Sequence, residues 1–164
     1  MYFDKTKVDI AIINAQPGIK RYLNIMLLLN QVDVSSSEVF QKSYDFFYKV
    51  RRGAAWREIY FKLMEEGKHK KHPLCFNEVV DILHEKTNRC EASFASKLVA
   101  TLDISKPVWD QYVLQNLNIA TPKPYSKTRI NDVKKCYEHM ENWYEDFIKS
   151  DNGIYCINRF NEMM

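Results

Sequence analysis

The residues with the most chemistry to offer lie in the stretch Pro107-Val108-Trp109-Asp110-Gln111-Tyr112-Val113. A carboxylate set among aromatic side chains can stabilise positive charge developing on a bound ligand, and it can orient or deprotonate a water molecule. Asp110 is the candidate for that role. Trp109 and Tyr112 offer planar surfaces beside it, Tyr48 and Trp56 are further aromatic candidates, and Ser93 brings a hydroxyl from the preceding helical stretch. A second chemistry comes from charge. Basic residues crowd at Lys49-Val50-Arg51-Arg52, at Lys68-His69-Lys70-Lys71-His72 and from Lys123 to Lys135. Arg51, Arg52, Lys68, Lys70 and Lys71 would make one phosphate-binding rim, and Lys127 with Arg129 a second. Each pattern also has a plainer reading. An Asp in the first turn of a helix gains about 0.3–1 kcal/mol from the helix dipole with no catalysis involved. Aromatic residues at helical spacing usually pack in a core, and charge runs usually form solvated faces.

Helical periodicity dominates the elements that must position these groups. Ile19, Leu23, Met26 and Leu27 recur at helical spacing over Gly18 to Gln31, which predicts a first helix opened by Pro17. Ser35-Ser36-Ser37 offers N-caps for a second helix carrying Val39, Phe40, Tyr44, Phe47 and Tyr48. A third, from Ala54 to Glu66, is expected to stop at Gly67 as a C-terminal cap. A short helix after Asn77 and a small-residue helix from Glu91 to Leu102 follow, the latter buried on most sides. Ser105-Lys106-Pro107 predicts a capped helix through Leu117 with Asp110 in its first turn. Pro122 and Pro124 forbid helix across the next loop, and an amphipathic helix runs from about Ile130 to Lys149, with Gly153 separating it from a last turn or helix ending in Phe160. No strand-like alternation of comparable length exists. The expected fold is all-α, a compact bundle of about seven or eight helices forming one domain over residues 1–164.

The segment from Cys90 to Ile119, a small-residue helix, a short loop, then Pro-Val-Trp-Asp-x-x-Val and a second helix ending Leu-Asn-Ile, resembles the helix-hairpin-helix superfamily of base-excision DNA glycosylases. The resemblance implies that Asp110 is the catalytic aspartate and Val113 its apolar neighbour. It also implies a DNA-glycosylase-like fold. Ser93 falls where bifunctional members carry a Schiff-base lysine, so the implied activity is monofunctional: hydrolysis of the N-glycosidic bond of a flipped, altered base. Lys97, one turn further on, faces a distinct direction. The family's Gly-rich hairpin is replaced by Thr87-Asn88-Arg89-Cys90-Glu91, so its usual backbone grip on a DNA phosphate is not reproduced. The implied partner is DNA, with no cofactor and no iron–sulfur cluster, because the cysteines do not gather after the last long helix. The alternative is a catalytically silent helical module that binds nucleic acid or protein.

Composition bounds these readings. The chain has 164 residues, 46% hydrophobic and 27% charged, enough to bury a core without disulfides or metals. Its net charge of +3 alone does not argue for nucleic acid. The longest apolar run, Tyr22 to Leu29, is interrupted by Asn24 and is far short of a membrane span. Cys75, Cys90, Cys136 and Cys156 stand singly, which predicts reduced thiols and no metal site. The start of the chain does not read as a signal peptide, and a cytoplasmic location is expected.

Overall fold

A computed structural model describes residues 3–164. Among them there are eight α-helices and no strand: α1 (Lys5–Gln31), α2 (Glu38–Tyr48), α3 (Ala54–Lys68), α4 (Phe76–Thr87), α5 (Ala92–Leu102), α6 (Gln111–Asn116), α7 (Arg129–Lys149) and α8 (Asp151–Met163). The all-α expectation holds. No described helix is long and apolar enough to cross a membrane.

The helix at the centre is α5. Its sequence is Ala-rich and apolar, and eight of its eleven residues are buried, which lets α3 and α4 approach it closely. Its polar residues are satisfied locally: Ser96 Oγ donates to the Ser93 carbonyl at 3.0 Å and Thr101 Oγ1 to the Lys97 carbonyl at 2.7 Å. Against it packs an aromatic cluster from α2 and α3. Tyr60 Oη donates its single proton to the Phe94 carbonyl at 2.9 Å, so Tyr44 must be the donor in the 2.8 Å contact between the two hydroxyls. The same core continues through Phe76 of α4 and Tyr137 of α7, whose rings stack at 3.7 Å.

Four local expectations are corrected. Pro17 does not open the first helix but lies within a 27-residue α1 that begins at Lys5, because Asp4 caps it by accepting from the Thr6 and Lys7 amides. The missing proline N–H is tolerated because the N-terminal half of α1 is anchored on α8. Arg159 donates twice to the Asp9 carboxylate, at 2.7 and 3.0 Å, and Phe3 meets Tyr155 edge-on. Gly67 does not end α3, which runs to Lys68. It is buried where an added Cβ would sit 2.5 Å from Leu102 Cδ1 and 2.8 Å from Leu74 Cδ1, so it serves close packing. Gly153 lies in the first turn of α8, capped by Ser150, and a Cβ there would strike the Phe147 carbonyl. Finally, Ser105 caps no helix. Its amide and hydroxyl both turn back to Asp103, and the chain bends at Lys106 and carries no helix through Asp110, itself extended, before α6 begins.

Candidate active site and nucleic-acid interface

The extended strap before α6 is pinned by side chains of α5 and α7. Trp109 donates its amide to Ser96 Oγ at 2.8 Å and accepts from Ser93 Oγ at 3.2 Å, so both of its backbone polar groups are tied to one turn of α5. Tyr137 Oη donates to the Pro107 carbonyl at 2.8 Å. Two serines thus hold Trp109, the residue preceding Asp110, and a tyrosine holds Pro107. Asp110 is the N-cap of α6, where first-turn placement was expected. One carboxylate oxygen accepts from the Tyr112 amide at 2.8 Å. The other makes no hydrogen bond within the described residues, and the side chain is exposed.

Ser93, Trp109, Asp110, Gln111, Leu114 and Thr121 line an open cleft of about 410 Å³. The two candidate catalytic residues therefore share one wall. The Ser93 hydroxyl is committed as a donor to Trp109, which leaves it acceptor capacity only. Lys97 does not line the cleft but is close enough to feel the Asp110 charge. Its Nζ lies 3.4 Å from the Tyr48 carbonyl oxygen and 5.0 Å from the centre of the Phe94 ring. Burial lowers its pKa below that of an ordinary lysine, and attraction to Asp110 partly restores it.

The aromatic candidates divide. Tyr112 is exposed beside Asp110, at the start of α6. Trp109 is buried and its ring lies parallel to Phe76 at 6.4 Å, so its surface is used in the core. Trp56 is stacked on Tyr60 at 4.8 Å, with its indole N–H buried and unpaired. Tyr48 packs against Tyr44 and Phe47, and burial pushes its hydroxyl up to about 12. Neither Trp56 nor Tyr48 lines the Asp110 cleft.

The basic candidates divide as well. Arg52, Lys127 and Arg129 converge on a second cavity, of about 580 Å³, at the turn between α4 and α5. Asn88 makes that turn in the left-handed region at φ 53°, a conformation asparagine adopts readily without glycine. Arg51 is exposed next to Arg52. Lys68 and Lys70 line a different depression, beside Gly67 and Leu29, and Lys71 is exposed in the loop that follows. Lys68 is engaged internally, donating to the Val32 carbonyl and to Glu65, each at 2.8 Å. Sequence reading missed Arg89, Glu91 and His84, which complete the second cavity. Glu91 is 5% exposed, and Arg52 grips its carboxylate with Nε and Nη2 at 3.1 and 3.0 Å. The signal was present in Thr87-Asn88-Arg89-Cys90-Glu91, where two opposite charges flank a turn, but the partner Arg52 is remote in sequence.

All four cysteines are unpaired thiols. Among the described residues, no three His, Cys, Asp or Glu side chains gather as a metal site. Comparisons of the chain with known protein families, with curated proteins and with solved structures return no match.

Proposed function

We propose that the chain is a monofunctional DNA glycosylase-like protein that hydrolyses the N-glycosidic bond of an extruded, altered base. The observation that carries this reading is the Asp110 carboxylate, which lies at the wall of an open cleft, held by a backbone pinned to α5, with one oxygen unengaged. In such a reaction the bond between the sugar C1′ and the base nitrogen breaks, and its electron pair leaves with the base. The carboxylate stabilises the cationic sugar, and water adds at C1′ as Asp110 accepts its proton. The base takes up a proton, and the products are free base and an abasic site. Ser93 acts as a positioning residue through Trp109.

The test is release of free base, read by mass spectrometry, from genomic and phage DNA carrying modified bases. Asp110→Asn is an unusually clean variant here because asparagine caps helices as well as aspartate does, so α6 should be retained. Excision should fall by about 10²–10⁴, with melting temperature and DNA binding nearly unchanged. Full activity of Asp110→Asn would remove the carboxylate from the mechanism. Borohydride should trap no covalent protein–DNA adduct, and a trapped adduct would instead point to an amine, with Lys97, whose charge interacts with Asp110, the first candidate.

A second reading has its own observation. The hydrogen bond from the Tyr112 amide accounts for Asp110 as a helix cap alone, as expected of a catalytically silent module that binds nucleic acid or protein. Nucleic-acid binding with no base released from any modified DNA would favour it.

A further inference from the structure

The cavity between α4, α5 and α7 is separate from the Asp110 cleft and is electrostatically lopsided. Four cationic side chains, Arg52, Arg89, Lys127 and Arg129, face a space with one carboxylate, Glu91, on its wall. That carboxylate is buried and already covered. Arg52 grips both of its oxygens, and Arg89 Nε lies 3.1 Å from Oε1. Glu91 therefore fixes two guanidinium groups in place but cannot neutralise four cations. The unused donors are specific. Beyond Nε, the Arg89 guanidinium makes no further contact to a described acceptor, and Lys127 has no ion-pair partner among the described residues. Arg129 donates to the Pro124 carbonyl at 2.9 Å and keeps its Nε buried without an acceptor, a deficit that no protein group covers.

The wall carrying Lys127 and Arg129 is also built rather than loose. Thr128 Oγ1 donates to Asp132 at 2.7 Å, and the Ser126 hydroxyl lies 2.8 Å from the Thr128 hydroxyl, which folds the loop onto the first turn of α7. Guanidinium forks held in this way suit an anion with several oxygens, and a cavity of about 580 Å³ is larger than one carboxylate needs.

We propose that this cavity is a phosphate-binding site that anchors the backbone of a nucleic acid, with Glu91 holding Arg52 and Arg89 in register. The phosphate chemistry stands on the cavity alone. Assigning it to a nucleic acid rests on the proposed function: Glu91, the N-cap of α5, lies on this cavity and Ser93, in the first turn of α5, on the Asp110 cleft, so both sites gather at one end of that helix.

The experiment measures binding of a fluorescein-labelled oligonucleotide, single-stranded and duplex, to the full chain across a salt series. Inorganic phosphate and pyrophosphate serve as separate small-anion arms read by thermal shift. The double variant Arg89→Gln, Lys127→Gln is compared with Lys70→Gln, Lys71→Gln, after circular dichroism shows that each is folded. The first pair should weaken oligonucleotide binding roughly tenfold or more and flatten the dependence of log K on log salt by about one for each cation removed. The Lys70, Lys71 pair should leave the slope unchanged. An unchanged slope in the Arg89, Lys127 variant, or an equal loss in the two pairs, overturns the site. Thermal stabilisation by pyrophosphate that the Arg89, Lys127 variant abolishes, with no oligonucleotide binding in either protein, overturns the nucleic-acid assignment and leaves a small-phosphate site. Base excision separates this inference from the proposed function. The Arg89, Lys127 variant should keep kcat and raise KM, whereas Asp110→Asn should keep the salt slope and lose excision. Absent excision with the slope effect intact defeats only the glycosylase reading.

Discussion

Two basic regions of this molecule are built on the same plan and do opposite things. Around Glu65, Lys68 and His69 close on a carboxylate that also accepts the Val34 amide, each at 2.8 Å, while Lys68 reaches on to the Val32 carbonyl. Around Glu91, Arg52 and Arg89 close on a carboxylate, but Lys127 and Arg129 add charge that no carboxylate of the described residues pairs, Arg129 meeting only the Pro124 carbonyl. The first arrangement ties the end of α3 to the turn between α1 and α2. The second leaves positive charge facing a cavity. Within the first run Lys68 is engaged, while Lys70 and Lys71 carry no ion pair among the described residues, so a run of lysines does not by itself say which of its charges are available; the decisive quantity is the number of carboxylates and carbonyls within reach.

Variants at the two carboxylates should sharpen this contrast most. Glu91→Gln leaves a half-buried Arg52 without its counter-charge, and should lower stability by about 1–3 kcal/mol, visible as a melting temperature roughly 3–8 °C lower. A change of under a degree would mean that the pair is not holding α5 to the end of α2. Beside the Glu65 region, Gly67→Ala should cost about 1 kcal/mol net, since crowding of Leu102 and Leu74 is partly offset by alanine's better helix propensity. Urea unfolding reads that difference, and a stabilised variant would show that the two leucines yield freely.

The Glu65 arrangement also carries a pH signature. Burial pushes its carboxyl up, but the hydrogen bonds from Lys68, the Val34 amide and His69 outweigh burial and hold the folded value below the usual one. A depressed folded pKa gives stability that is complete above the unfolded value, near 4.5, and is lost as pH falls through the folded value. The urea midpoint of the wild-type protein should therefore drop on acidification below that point, and Glu65→Gln should show a smaller drop. Equal acid sensitivity in both proteins would assign the loss to other carboxylates. The smallest effect is expected for Lys70→Gln with Lys71→Gln, within about 0.5 kcal/mol of wild type. A larger shift would give that loop a structural part it does not show through contacts.

Much of the fold could be read from local pattern, and the site only in part. Ser37 caps α2 by accepting from the Phe40 amide, and α5 is the buried small-residue helix that its composition demands. Both depend on residues a few positions apart. Asp110 and Ser93 fall on one cleft because they flank the same turn and strap. Where α6 starts was illegible because the strap before it is held by tertiary contacts, among them the Trp109 amide on Ser96 and the Pro107 carbonyl on Tyr137. The Arg52–Glu91 pair spans 39 residues, and no periodicity reports such a meeting. Trp56 and Tyr48 looked like ligand platforms for the converse reason: an aromatic residue in a sequence does not disclose which other rings will cover it.

The long α1 has a consequence for motion. Its C-terminal half contributes Ile25 and Leu29 to the common core, whereas its N-terminal half is held through α8, by Asp9 and Arg159 across 150 residues of chain. Pro17 sits between the halves and interrupts the ladder of amide bonds that would make them open together. Native-state hydrogen exchange should resolve two cooperative units. Amides of the first turns of α1 should exchange in step with those of α8, at a lower opening free energy than α5. Because it joins the most distant parts of the chain, that clasp should also form late in folding, after α3, α4 and α5 have found one another.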